Sequence, residues 1–126
     1  MVTEVKQTKQ EVFMENIRVL RQAVPELQGV MITGIDGLPI AYDFPETESA
    51  RIAAMAATAY GIGTRISEST QLGQFHEMVV RGDKGYLVIY KSGENGVLAV
   101  QAPNLANIGL IHLETRSVVQ EIANSL

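Results

Sequence analysis

Between Arg51 and Arg65 the chain runs thirteen residues without a charge. The acidic and hydroxyl residues Glu46, Thr47 and Glu48 suit a helix N-terminus just upstream, so the run reads as the middle of a long helix reaching about Thr70. A helix on the surface of a monomer shows a polar face every third or fourth residue. At about 100° per residue this one divides into three arcs. Ile52, Met55, Ala59, Ile62 and Ile66 carry the large aliphatics and are expected to pack on a sheet. Ala50, Ala53, Ala54, Ala57, Gly61 and Thr64, with Tyr60 at the margin, form an arc that is apolar yet almost without bulk. Ala53, Ala57 and Gly61 recur every four residues, a spacing that lets a second helix approach closely. Arg51, Thr58, Arg65 and Ser69 mark a narrow polar stripe.

The rest of the chain frames that helix. Phe13, Ile17, Leu20 and Val24 make one helical stripe from Thr8 onward, and Pro25 ends it. Gly29 to Thr33 and Leu38 to Tyr42 read as strands joined by the Asp36-Gly37 turn of a hairpin. Phe75 to Arg81, Tyr86 to Lys91 and Val97 to Gln101 read as a three-stranded meander, separated by turn residues at 82–85 and 92–96. A last helix is expected after Pro103, capped by Asn104, with Leu105, Ile108, Ile111, Val118 and Ile122 at helical spacing. The order is helix, two strands, helix, three strands, helix, an α+β arrangement with one five-stranded antiparallel sheet. A single domain spanning residues 1–126, with its core at about 13–123, is expected at this length.

Two edges follow. The strand with Pro39 is blunted against pairing by its proline, whereas Phe75 to Arg81 carries no such protection and invites a partner strand. The first and last helices each have their own apolar stripe for the sheet, so a second copy of the chain is the favoured cover for the small-residue arc. The expected dimer interface is therefore Ala53, Ala57, Tyr60, Gly61 and Thr64 of the helix with Met78, Val79 and Val80 of the open strand.

Composition narrows the function. Ten Lys and Arg against fourteen Asp and Glu give a net charge of -4, with no Trp, which argues against a nucleic-acid face. The absence of Cys removes disulfides, thiolate metal sites and cysteine catalysis. It also suits a cytoplasmic setting. Residues Met1 to Gln10 lack the apolar run of a signal peptide, Val2 argues against myristoylation, and membrane insertion is not expected.

Gly29-Val30 leading into ITGIDGLPIAYD, the Ala-rich helix, and APNLANIGLIHLETRSVVQEI near the end resemble the Roadblock family. That family includes dynein Roadblock light chains, Ragulator-type scaffold subunits and the prokaryotic MglB-like regulators of small Ras-like GTPases. The resemblance covers roughly Phe13 to Ala123 and implies a profilin-like α-β-β-α-β-β-β-α sandwich. It further implies a homodimer with paired central helices and paired edge strands. The implied function is a signalling one: binding a small Ras-like GTPase and modulating its nucleotide cycle, without an active site or cofactor of its own. The alternative is a passive dimeric scaffold or light-chain adaptor. Glu48, Arg51, Thr58 and Arg65, the polar residues of the long helix, are the candidate GTPase contacts, although Glu48 and Arg65 also complement the helix dipole.

Other chemistry finds little support in the residues. Gly61-Ile62-Gly63-Thr64 is glycine-rich but falls inside a helix and lacks the strand-to-helix turn and lysine of a phosphate loop. His76 and His112 lack partners at metal-ligand spacing. Asp36 and Asp43 are better explained by turn and loop geometry than as an acid-base pair.

Overall fold

The computed structural model describes residues 7–126; the first six, part of the segment read as carrying no targeting signal, lie outside them. The elements in chain order are α1 (Lys9–Ala23), β1 (Gly29–Gly34), β2 (Pro39–Asp43), α2 (Glu46–Ser69), β3 (Glu77–Arg81), β4 (Gly85–Ser92), β5 (Gly96–Pro103) and α3 (Ile108–Ser125). All five strands form one antiparallel sheet in the order β2-β1-β5-β4-β3. The proline-bearing strand and the unprotected strand are thus its two edges.

Local chemistry accounts for the element ends. The Thr8 hydroxyl accepts from the Glu11 amide at 3.1 Å and starts α1. In the β1-β2 turn Gly37 has φ +85°, and the Asp36 carboxylate accepts from the Leu38 amide at 3.1 Å. This is the Asx geometry that makes Asp-Gly a turn pair. The carboxylate is used to hold the backbone.

Helices α1 and α3 lie together on one face of the sheet. Phe13, Ile17 and Leu20 of α1, with Ile111, Val118 and Ile122 of α3, bury against Val30, Ile32, Val88, Leu98 and Val100. Helix α2 covers the other face alone, over Met31, Ile89, Val97 and Ala99.

The orientation of α2 departs from the sequence expectation. Ala53 and Ala56 are fully buried against the sheet, while Met55, Ile62 and Ile66 are 52%, 53% and 48% exposed. The helix sits close to the strands through its small residues, and aromatic rings supply the volume. A Cβ on Gly63 would fall 2.5 Å from a Phe75 ring carbon, and that ring meets Tyr60 edge-on at 5.7 Å. Of the aliphatic arc, Ile52 and Ala59 are partly buried against this cluster as expected, whereas further bulk in place of Gly63 would hold the helix away and break the packing.

The start of α3 also differs. Asn107, not Asn104, is the cap: its side chain accepts from the Leu110 amide at 3.1 Å. Asn104 instead donates to the Asp83 carbonyl. Leu105 therefore stands outside the helix and is 99% exposed.

Candidate interaction surface

One apolar surface that the fold leaves uncovered combines the outward side of α2 with the β3 edge. Turning around α2 away from the sheet, three strips follow one another. One holds small residues: Ala50, Ala54 and Gly61 are exposed, and a Cβ on Gly61 would meet nothing within 4 Å. The next is the polar stripe of Arg51, Thr58 and Arg65, with both arginines exposed. The third is Met55, Ile62 and Ile66. Exposed aliphatics in a row on one helix face are a signature of an interaction surface rather than of solvent.

Pairing with β4 decides which way β3 side chains point. Met78 opposes Ile89 and Val80 opposes Leu87, residues of the core beneath α2, so Met78 and Val80 share a sheet face with the aliphatic strip. Glu77, Val79 and Arg81 point to the α3 side. Val79 and Val80 are 41% and 53% exposed, which extends the apolar surface to the strand edge.

Of the residues expected at a dimer interface, Ala53 is a correction: it is fully buried within its own chain and cannot meet another. Ala57 is half-buried and lies beside the hairpin turn, its Cβ 3.8 Å from the position a Gly37 Cβ would take. Part of the small-residue arc thus packs against the same chain. Tyr60 and Thr64 are half-buried, and Gly61, Val79 and Val80 are open. Reading the residues alone missed Met55, Ile62 and Ile66, because apolar bulk is ordinarily assigned to the core. The signal for the reverse was the Gly63 and alanine spacing next to two aromatics.

Among the GTPase-contact candidates, Arg51 Nη2 contacts the Glu48 carboxylate at 2.8 Å. Both ends are solvent-accessible, so the pair contributes about 0–1 kcal/mol. The Thr58 hydroxyl bonds back to the Ala54 carbonyl at 2.8 Å. Arg65 has no salt-bridge partner among the described residues.

Gly61 to Thr64 lies within α2. Asp43 pairs with Arg21 at 3.0 Å. His76 and His112 line one surface cleft of ≈ 520 Å³ together with Glu77, Tyr90 and Arg116, an approach that their sequence separation conceals. The Tyr90 hydroxyl lies 2.7 Å from His112 Nδ1, and burial pushes the Tyr90 phenol up to about 12. No group of three His, Cys, Asp or Glu side chains among the described residues could hold a metal ion. Among the same residues, no helix is long and apolar enough to cross a membrane.

This α-β-β-α-β-β-β-α sandwich matches the Roadblock/LC7 domain, whose family model covers residues 13–102. The chain belongs to that family. Three uncharacterised proteins of Methanocaldococcus jannaschii are similar to it, two at 30% and one at 31% identity over 97 residues; those 97 residues make up 76% of this chain and 81–84% of theirs. Solved structures share the fold. A Roadblock/LC7 domain from Streptomyces avermitilis superposes with a TM-score of 0.78 at 23% identity, covering 83% of this chain and 89% of that one. The gliding protein MglB of Thermus thermophilus does so with a TM-score of 0.83 at 14% identity, covering 96% of this chain and 93% of MglB. An MglB described as having a tetrameric arrangement gives 0.84 at 14% identity, with 96% and 92% covered.

Proposed function

We propose that the chain acts as a homodimer, built through the outer side of α2 and the β3 edge, that binds a small Ras-like GTPase and modulates its nucleotide cycle. One observation carries this reading: large aliphatics of α2 stay exposed on the same sheet face as the apolar side chains of an unprotected edge strand. Covering them removes apolar surface from water at roughly 25 cal/mol per Å². The interface then consists of Met55, Gly61, Ile62 and Ile66, with Tyr60 and Thr64 at its margin and Ala57 beside the hairpin turn, joined by Met78, Val79 and Val80.

The two-fold axis of such a dimer brings two copies of the polar stripe onto one side, where Glu48, Arg51, Thr58 and Arg65 form the docking contacts. The GTPase itself is inferred from the resemblance to MglB-like regulators and from the shared fold. Nothing in this reading requires the chain to supply a catalytic group, since an activator can act by rearranging the GTPase's own residues. The setting is the cytoplasm.

The test is binding to a Ras-like GTPase encoded in the same genome, loaded with GTP or GDP analogues, together with single-turnover hydrolysis. Tighter binding of the GTP form with faster hydrolysis supports an activator. Binding without nucleotide preference supports the scaffold. Reversal of Arg51 and Arg65 to Glu is expected to keep the dimer and weaken GTPase binding, most at low salt. Full affinity in that variant removes α2 as the docking face.

A further inference from the structure

The free edge of β3 is charged in a self-complementary way. Its backbone polarity is fixed by the pairing with β4. The Lys91 amide donates to the His76 carbonyl at 3.0 Å, and the Gly82 amide donates to the Gly85 carbonyl at 2.8 Å. Even-numbered residues of β3 therefore spend their amides and carbonyls on β4, and Glu77, Val79 and Arg81 direct theirs outward. These same residues place their side chains on the α3 side of the sheet. Glu77 and Arg81 flank Val79 symmetrically, both are exposed, and neither joins a salt bridge among the described residues. Arg116 lines the same cleft as Glu77 without pairing with it. Along the strand Glu77 and Arg81 stand about 13 Å apart, too far to neutralise each other.

We propose that a second copy of this chain pairs with β3 in one register, centred on Val79, and that Glu77 and Arg81 are the residues that select it. This rests on the homodimer reading above and adds what that reading leaves open. If both α2 helices are to lie on one face, the two-fold axis must run perpendicular to the sheet. Opposed residues then point to the same face, so the register can change only in steps of two residues. Centring on Met78 opposes Glu77 to Val79 of the partner copy, and centring on Val80 opposes Glu77 to Asp83, a like charge. Centring on Val79 opposes Glu77 to Arg81 on both sides of the axis and places all the outward amides and carbonyls opposite one another. Cα atoms in such hydrogen-bonded pairs are about 5.5 Å apart, within reach of a carboxylate and a guanidinium. Selectivity for self has a use, since relatives of this chain occur in sets: three come from one organism.

The experiment measures association of full-length Glu77→Arg and Arg81→Glu, alone and mixed, by sedimentation. Each variant alone opposes like charges at both positions, and its self-association is expected to weaken about tenfold against wild type, less at high salt. A mixture of the two restores opposite charges at both positions. It is expected to form heterodimer at close to wild-type strength. The doubly exchanged chain, carrying both substitutions, is expected to dimerise with itself. A monomeric wild type overturns the dimer reading itself. A dimeric wild type whose single variants self-associate equally well, or whose mixture shows no preference for heterodimer, overturns the register while leaving the dimer intact.

Discussion

The two faces of the sheet are packed by opposite strategies. On the side of α1 and α3, bulky aliphatics interlock: Ile17, Leu20, Ile111 and Ile122 are all at or below 2% exposure. On the side of α2, alanines, Gly63 and the Phe44 and Phe75 rings do the filling, and the helix keeps Met55, Ile62 and Ile66 outside. The first face is filled by bulky aliphatics beneath its helices, with Met14, Val19, Leu110 and Leu113 exposed on their outer sides. The second is complete only beneath the helix, and above it offers what a core would ordinarily use. A helix can therefore be anchored by its small residues and leave large ones exposed.

Deletion in the first face is the most severe disturbance. Ile111→Ala is expected to cost about 2–5 kcal/mol of folding stability, since it leaves a cavity among α1, α3 and the sheet. Ile62→Ala, the same chemical change on α2, is expected to cost the single chain less than about 0.5 kcal/mol. Denaturant titrations dilute enough to be independent of protein concentration make the comparison. Equal losses would mean that the α2 aliphatics are core after all.

Enlargement reverses the asymmetry within α2. Ala56→Leu forces a side chain into the narrow space over the strands, with an expected loss of about 1–3 kcal/mol. Gly61→Leu enters open space, so its effect on the fold is expected to be small or favourable through helix propensity. The second substitution is the one that should disturb association. Thermal melts and sedimentation on both variants separate the two effects.

Tyr90 probes the first face at smaller cost. Tyr90→Phe removes the hydrogen bond to His112 and is expected to lower stability at neutral pH by about 1 kcal/mol. Burial pushes the wild-type phenol up to about 12 in the fold, against about 10 when unfolded. Its contribution is therefore complete below about pH 10 and is lost as pH rises from there toward the folded value. Stability curves over that range should fall less steeply for the variant. Parallel curves would place the alkaline sensitivity elsewhere, with Tyr86, also raised by burial, as the next residue to replace.

The element order and both sheet edges were legible in the residues, because Pro39, the Asp36-Gly37 turn and alternating strands are local signals with unique geometric meanings. Periodicity also showed which α2 residues share an arc. It could not show which side meets the sheet: the buried face, with Ala53, Ala56, Gly63 and Ser67, lies between the two apolar arcs rather than centred on either. That choice is made by Phe75, distant in sequence, seating against Gly63. The α3 cap was displaced for a related reason: Asn104 and Asn107 each precede an apolar residue, and only Asn107 has its side chain free to turn back onto the helix. The apolar centre of the β3 edge was legible too. The relevance of Glu77 and Arg81 emerged from the hydrogen-bond phase of the β3-β4 ladder, which no residue pattern encodes.

Whether a second copy of the chain covers the outer side of α2 is decided by sedimentation of wild type and Ile62→Glu across the micromolar range. Ile62 is outside the core, so the variant should fold and give a far-UV spectrum like that of wild type. Wild type is expected to sediment as a dimer and the variant as a monomer, because two introduced carboxylates would be buried near the symmetry axis without partners. A monomeric wild type, or a variant that dimerises as tightly as wild type, would contradict the proposed dimer.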